Sequence, residues 1–351
     1  MPVFTIEYLH QVGTSIFSAA GASEEAAGVV AGLLVDANVV GHDSHGVIRI
    51  PQYISTVEQG EIVPDAPIEV VRETAVSAVL DGHWGFGQVV VNQALEWGLE
   101  RAGRYGVAAV TVKNANHIGR LGSYMERIAD AGMIGLLCVN SHGGGASVAP
   151  WGGQKGRLST NPLAAGLPNG DGGALILDMT TSVVAEGKVR VKRNRGEELP
   201  EGWIVDAAGR PSTHPGDFYD EPRGSLLPFG GSMGHKGYGL GVVVDILAGA
   251  LSGAGTTRGR KQRIGNGCFL LVINLERFQP QAEYGDQVKD YIAYLKASPK
   301  AEGFSDILMP GELEEREREK RRDGIFVEEE TWAQILDCGR GVGAILPESI
   351  P

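Results

Sequence analysis

Cysteine is scarce in this chain, with three in 351 residues, Cys138, Cys268 and Cys338, far apart in sequence. That spacing argues against a disulfide framework and a cysteine-built metal cluster. Two of the three sit in apolar runs and read as small core residues of a protein kept in a reducing compartment. No apolar run reaches about 18 residues, so no membrane-spanning helix is expected. No basic start followed by an apolar core opens the chain, so no secretory leader is expected and the default location is the cytoplasm. Basic residues are outnumbered, 31 Lys and Arg against 43 Asp and Glu, a net charge of −12. That balance argues against nucleic acid, which needs a basic surface. An anionic cofactor would have to be held by local cations and backbone N–H groups. Glycine is the opposite case: its 52 residues are about double the usual ~7% share. They cluster in loops, where they serve tight turns or close approach of backbone to a ligand.

Residues 5–60 read as helical. Ser23 is a plausible N-cap, and Ala26, Val30, Leu33, Leu34 and Ala37 then line one apolar face. Pro51 is expected to limit or kink the helix carrying His45 and Arg49. From about residue 75 strands and helices alternate. Strands are expected at 75–80, 107–112, 133–139, 174–177 and 268–273, and helices at 87–103, 121–131 and 238–251. Residues 141–173 read as one long glycine-rich connection, and 192–230 as a surface excursion. This rhythm indicates an α/β domain. The segment 312–322 reads as a solvated charged helix, with Glu312/Arg316, Glu314/Arg318 and Glu317/Arg321 spaced for i,i+4 pairs.

Gly41-His42-Asp43-Ser44-His45-Gly46-Val47-Ile48-Arg49 gathers two imidazoles, a carboxylate, a hydroxyl and a guanidinium into nine residues. If the stretch after Ser44 is helical, His45 and Arg49 project from one face. Arg49 would then fork the carboxylate of a 2-oxo or 2-hydroxy acid while His45 exchanges a proton with the neighbouring oxygen. The same residues would equally make a polar helix start, capped by Asp43 or Ser44. His42, Asp43 and His45 are metal-ligand types, but no HExxH or cysteine pair completes a set, and no metal is expected.

Nucleotide fingerprints fail. Gly339-Arg340-Gly341-Val342-Gly343-Ala344 fits G-x-G-x-x-A, yet only seven residues follow it, too few for a crossover helix and a second strand. Gly237-Tyr238-Gly239-Leu240-Gly241 lacks a preceding strand, and no Walker A sequence exists. Any nicotinamide site is therefore not of the Rossmann type. Other constellations are individually weak. His117-Ile118-Gly119-Arg120 stands at a strand-to-helix turn suited to phosphate or to plain capping. Ser159-Thr160-Asn161-Pro162 puts hydroxyl and amide groups in a turn. Asp178-Met179-Thr180-Thr181-Ser182 would hold ribose or order the next helix. His235-Lys236-Gly237 places two cations before an apolar helix, near a cofactor phosphate or in an exposed loop.

Taken together and in this order, these motifs resemble the type-2 malate/L-lactate dehydrogenase family. Gly187-Lys188-Val189, Asn266-Gly267 and Pro310-Gly311-Glu312 extend the likeness over about residues 41–324. Phe86-Gly87-Gln88-Val89 and Lys296-Ala297-Ser298-Pro299 are similar to its hydroxycarboxylate dehydrogenase branch. The resemblance implies a non-Rossmann, L-sulfolactate dehydrogenase-like α/β fold, a mixed sheet with helices plus a helical lobe from both ends of the chain. Residues 1–74 would be the helical segment, joined in space by about 280–351, with 75–279 the cofactor-binding domain.

The implied activity is hydride transfer between NAD, or NADP, and a 2-oxo or 2-hydroxy acid, aromatic ones included, in a homodimer. The implied alternatives are a ureidoglycolate, sulfolactate or malate dehydrogenase, or an NADPH-dependent reductase of a cyclic imino acid. Lys188 stands where the imine reductases carry an acidic residue. A silent binding module for small anions is disfavoured by the intact His45, Arg49, His117 and Lys236. By the same resemblance His45 or His117 carries the proton, with Ser44 beside them, and Arg49 and Thr160 meet substrate. His45, Gly119, Arg120, Leu121, Ile176, Leu177, Asp178, Met179, Thr180, His235, Lys236, Asn266, Gly311, Glu312, Leu313 and Glu314 would line the cofactor. Arg120 or Lys192 would be the cations to meet a 2′-phosphate.

Overall fold

The computed structural model describes residues 2–258 and 263–348. After a short strand β1 (Val3–Phe4), Thr5 and Ser23 start α1 (Ile6–Ala19) and α2 (Glu24–Val39). Each hydroxyl accepts a free backbone N–H of the first turn, from Tyr8 and Ala26. The expected cap at Ser23 is present. Two 3-10 turns, Asp43–His45 and Val47–Arg49, lead into α3 (Ile50–Glu58). Pro51 lies in the first turn of α3, where a missing N–H costs nothing, so it opens this helix instead of limiting the one before it. Leu9, Ile16, Phe17, Leu34, Ile50 and Tyr53 from these helices share a core with Ile325, Val327 and Ile335. The two ends of the chain thus build one helical lobe.

The α/β part begins with β2 (Glu69–Glu73), β3 (Ser77–Gly85), α4 (Gly87–Tyr105), β4 (Val107–Ala115), α5 (Gly122–Asp130) and β5 (Met133–His142). It continues through β6 (Leu163–Pro168), β7 (Ala174–Met179), α6 (Glu186–Asn194), β8 (Ile204–Val205), β9 (Pro211–Ser212), α7 (Gly216–Tyr219) and β10 (Ser225–Leu226). Then α8 (His235–Asp245) runs on into a π-helical turn, Ile246–Ala250, before β11 (Gly265–Asn274). The chain closes with α9 (Gln281–Lys296), α10 (Glu312–Lys320), β12 (Ile325–Phe326), which pairs with β1, and α11 (Glu329–Gly341).

The seven-stranded sheet has the order β2-β3-β4-β11-β5-β6-β7, and only β3 and β4 run parallel. β11 enters between β4 and β5, setting Leu270 opposite both Val110 and Leu137. Side chains alternate across these strands. Val110, Leu137 and Leu270 meet α4 and α5 on one face, while Cys138 meets Val244 and Ala248 of the α8 segment on the other. Cys138 and Cys268 are buried and unpaired, as small core residues should be.

Two expectations are corrected. The stretch 141–173 is not one connection, because β6 lies within it and pairs with β5 and β7. Its sequence, Leu-Ala-Ala-Gly-Leu-Pro, has weak strand propensity, and hydrogen bonds from both neighbours override that. The excursion at 192–230 carries a small sheet, β10-β8-β9, over its own core of Val148, Val189, Ile204, Phe218 and Leu226.

Candidate active site

Ser44 organises the first half of the site. The continuous helix expected from Ser44 onward does not form, because backbone at Gly46 is extended between the two 3-10 turns. Asn38, at the end of α2, holds this break. Its Oδ1 accepts the N–H of Val47 at 2.8 Å and its Nδ2 donates to Asp43 at 2.7 Å. His45 and Arg49 are brought together by other means. The Ser44 hydroxyl shares a hydrogen bond of 3.2 Å with Nδ1 of His45, and the Ser44 carbonyl accepts Nε–H of Arg49 at 2.7 Å. Arg49 Nη1 donates to Gln52 at 2.6 Å. Nη2 makes no hydrogen bond among the described residues, so one edge of the guanidinium is left for a carboxylate.

His117 follows β4 and lies against His45, with the rings nearly parallel at 5.5 Å. Its Nδ1 lies 2.6 Å from the buried hydroxyl of Tyr53. That hydroxyl oxygen in turn accepts from Nε2 of Gln88, at the start of α4, at 2.8 Å. Burial, reinforced by Arg49, His42 and Arg120, lowers the pKa of His45 to about 4. Burial, Arg49 and His45 hold His117 well below the usual imidazole range. Two neutral imidazoles and one cation therefore face one another at pH 7. That suits an anionic substrate and a proton that moves only during reaction.

A second wall forms where three distant segments meet. Gly122 N–H, at the start of α5, donates to Asp178 Oδ2 at 2.7 Å. On β7, Ile176 N–H donates to the Pro310 carbonyl at 3.1 Å, which seats Gly311 against the strand. Glu314, one turn into α10, pairs with His42 at 3.2 Å. The backbone N–H groups of Gly119, Arg120 and Leu121 make no hydrogen bond among the described residues. A dinucleotide phosphate fits these open N–H groups, and Ile176 to Asp178 and Gly311 to Glu314 would line the rest of the dinucleotide.

The remaining expected site residues have the following surroundings. The side chain of Arg120 is completely buried and paired with Asp36 at 3.4 Å and Glu126 at 2.8 Å, so it offers a cofactor only backbone. Lys192 is paired with Glu197. Neither cation is free for a 2′-phosphate. Asn266 is a cross-link, its Oδ1 accepting from Ile118 N–H and its Nδ2 donating to the Asn140 carbonyl. Glu312 orders its own helix start, accepting from Met309 N–H and pairing with Lys296, and Leu313 is exposed.

Thr160 offers its carbonyl to Thr181, and Thr180 turns its hydroxyl to the Ser182 carbonyl. Leu177 is exposed, and Met179 ends β7 opposite Leu163. His235 and Lys236 are exposed at the start of α8, where His235 packs edge-on to Trp151. No described contact joins them to the paired histidines. Of the three i,i+4 pairs expected at α10, Glu317/Arg321 forms, at 3.6 Å, and the helix adds i,i+3 pairs between Glu315 and Arg318 at 3.4 Å and between Glu317 and Lys320 at 2.5 Å. Arg316 goes to Asp306, and Arg318 reaches Asp36 and Glu126 across the lobe.

Sequence reasoning missed Tyr53, Gln88, Asp36 and Glu126. Tyr53 stands four residues beyond Arg49, a spacing that would have placed it beside the site. Gln88 lies in the Phe86-Gly87-Gln88-Val89 stretch that carries the resemblance but was given no role, and Asp36 and Glu126 carry no local signal.

The rejected fingerprint and the turn at Gly119 can be compared directly. Gly119 has φ +79°, a left-handed conformation that valine strongly disfavours. Gly341 ends α11, and a Cβ there would meet nothing within 4 Å. Gly119→Val is expected to weaken binding of reduced nicotinamide cofactor by well over tenfold, and Gly341→Ala to leave it nearly unchanged. Fluorescence titration measures both. The reverse ranking would move the cofactor to the C-terminal glycines.

The model of the malate/L-lactate dehydrogenase family matches residues 4–336. Hydroxycarboxylate dehydrogenase B of Escherichia coli (strain K12) is 36% identical over 351 residues, 98% of this chain and 95% of that protein. L-sulfolactate dehydrogenase of Methanocaldococcus jannaschii is 37% identical over 336 residues, covering 94% of each chain. The solved structure of sulfolactate dehydrogenase from Methanocaldococcus jannaschii superimposes with a TM-score of 0.90 at 34% identity, covering all of both chains. With its mixed sheet, its helical lobe and this likeness along nearly its whole length, the chain belongs to the malate/L-lactate dehydrogenase family.

Proposed function

We propose that the chain is an NAD-dependent 2-hydroxyacid dehydrogenase that reduces 2-oxo acids, aromatic ones included. The observation that carries this reading is the meeting of His117, its Nδ1 tied to Tyr53, with His45 and the half-used guanidinium of Arg49. Arg49 fixes the substrate carboxylate. His117 presents Nε2 to the oxygen on C2 and exchanges a proton with it. His45, oriented by Ser44, packs against that ring and keeps charge off it, since a second cation beside Arg49 is disfavoured. Thr160 is assigned to the substrate by the resemblance. The nicotinamide, when bound, supplies or takes the hydride. The dinucleotide is held by the backbone from Gly119 to Leu121, by Ile176 to Thr180, and by the segment from Gly311 to Glu314. The NAD preference is supported by the commitment of Arg120 and Lys192 to carboxylates.

The homodimer implied by the resemblance is supported by Val243, Ile246 and Leu251, which stand exposed on and just after α8. A cytoplasmic setting is supported by three unpaired cysteines. No helix among the described residues is long and apolar enough to cross a membrane.

The direct test follows absorbance of NADH and NADPH with a panel of 2-oxo acids and cyclic imino acids. Consumption of NADH with 2-oxo acids, aromatic members included, is expected. Turnover with imino acids alone would overturn the reading.

A further inference from the structure

Gln88 is completely buried, and its Oε1 has no hydrogen-bond partner among the described residues. A buried amide oxygen left unpaired is uncommon and calls for a cause. The side chain is pressed deliberately into place. A Cβ on Gly87 would lie 2.1 Å from the Asn116 carbonyl and 2.7 Å from that of His117, so only glycine lets α4 start this close to the end of β4. Gln88 also lies against Gly119 of the turn expected to meet the cofactor.

We propose that Gln88 and Tyr53 form a reversible hydrogen-bond relay that decides which ring nitrogen of His117 carries hydrogen. In the observed state Gln88 Nε2 donates to the Tyr53 oxygen, so the Tyr53 hydrogen goes to Nδ1 of His117. The neutral ring then carries its hydrogen on Nε2, as a donor toward a 2-oxo group. When His117 takes up a proton, Nδ1 becomes a donor and needs an acceptor. Tyr53 oxygen is the one within reach, and the Tyr53 hydrogen must turn away. Rotating the Gln88 amide by half a turn brings Oε1 to meet it. The unpaired acceptor of the first state is the partner required by the second.

The balance closes for reduction of a 2-oxo acid. The C2 carbon gains hydride, and its C=O π bond becomes a lone pair on oxygen. That oxygen takes the Nε2 proton of doubly protonated His117. The ring is left neutral with hydrogen on Nδ1, the relay still in its second polarity. Exchange with solvent returns that hydrogen to Nε2 and the relay to its first state, and a second proton is taken up from solvent only in the next reaction cycle. The charged or titratable groups facing His117 are Arg49 and His45 from the turns before α3, and Tyr53 from α3. Tyr53 is faced by Arg49 and by Tyr124 of α5, and burial pushes its phenol up to about 12, so it relays hydrogen without ionising.

The relay rests on the reading of His117 as proton carrier, but its test does not require activity. In cofactor-free protein labelled with ¹⁵N-histidine, the neutral His117 ring is expected to carry hydrogen on Nε2. Gln88→Met should keep that tautomer and, lacking the second acceptor, lower the pKa of His117. Gln88→Glu, whose carboxylate only accepts, should move the hydrogen to Nδ1 and raise that pKa by about one unit, a tenfold gain in proton affinity. Tyr53→Phe, which removes one oxygen, should give a mixture of tautomers and serves if a Gln88 variant fails to fold. A merely structural Gln88 would not shift the ring in opposite directions. The same tautomer in all four proteins, or hydrogen on Nδ1 in the wild type, overturns the relay. If the tautomers follow Gln88 while turnover ignores His117, the relay stands and the catalytic reading falls.

Discussion

Arg49→Ala is expected to raise the Michaelis constant for any 2-oxo acid by roughly 30- to 1000-fold. Loss of a charge-assisted carboxylate contact in a desolvated site costs about 2 to 4 kcal/mol. Two of the five guanidinium N–H groups already serve the protein, at the Ser44 carbonyl and at Gln52. The substitution therefore also frees the turn that orients His45, and turnover should fall along with affinity. Arg49→Lys should recover only part of the loss, because an ammonium holds one position and cannot fork a carboxylate while anchoring Ser44. Steady-state kinetics with a 2-oxo acid series checks this. Unchanged constants in Arg49→Ala would remove Arg49 from the site.

His117→Asn is expected to cut turnover by about 10² to 10⁴ while reduced cofactor still binds, the usual contribution of a positioned acid–base group. His45→Asn should act mainly on substrate affinity. The two imidazoles are not equivalent. His117 is anchored through Nδ1 to a buried phenol on a helix, whereas the partner of His45 is the hydroxyl of the adjacent residue in a short turn. A ring held on a rigid element presents its free nitrogen with less freedom to lose. Single-turnover rates at saturating cofactor and substrate separate the two variants. If neither substitution slows turnover tenfold, the acid–base assignment is wrong.

How much of this was legible in the sequence depends on the kind of signal each residue carries. Ser23 declares a helix start by chemistry acting over three residues, and the apolar run from Val107 to Val112 declares a buried strand. β2, Glu-Val-Val-Arg-Glu, is an exposed edge strand and shows no alternation of burial. Candidate residues His45, Arg49 and His117 stand out because titratable groups beside glycines are conspicuous. Tyr53 and Gln88 look like ordinary helix residues, and their role appears only when α3, α4 and the end of β4 converge from positions up to 64 residues apart. The charges of α10 misled in a specific way. Spacing suggested i,i+4 pairs, yet Arg318 meets Glu315 at i,i+3 and reaches Asp36 and Glu126, which are partly buried and less screened than the exposed Glu315.

The position of β11 bears on how the protein is made. β4 and β5 are neighbours along the chain, yet the strand between them comes from residues 265–274. During synthesis the ribosome must deliver more than a hundred further residues after β5 before the middle of the sheet can close. Until then the nascent chain carries two half-sheets whose inner edges, lined by Val110 and Leu137, stand open side by side. Open apolar edges are templates for wrong pairing and natural clients of chaperones. Pairing across so long a loop also makes for slow folding. Newly made chains of this enzyme are therefore most vulnerable to aggregation in the interval between the emergence of β5 and that of β11, well before the histidine site has a finished sheet behind it.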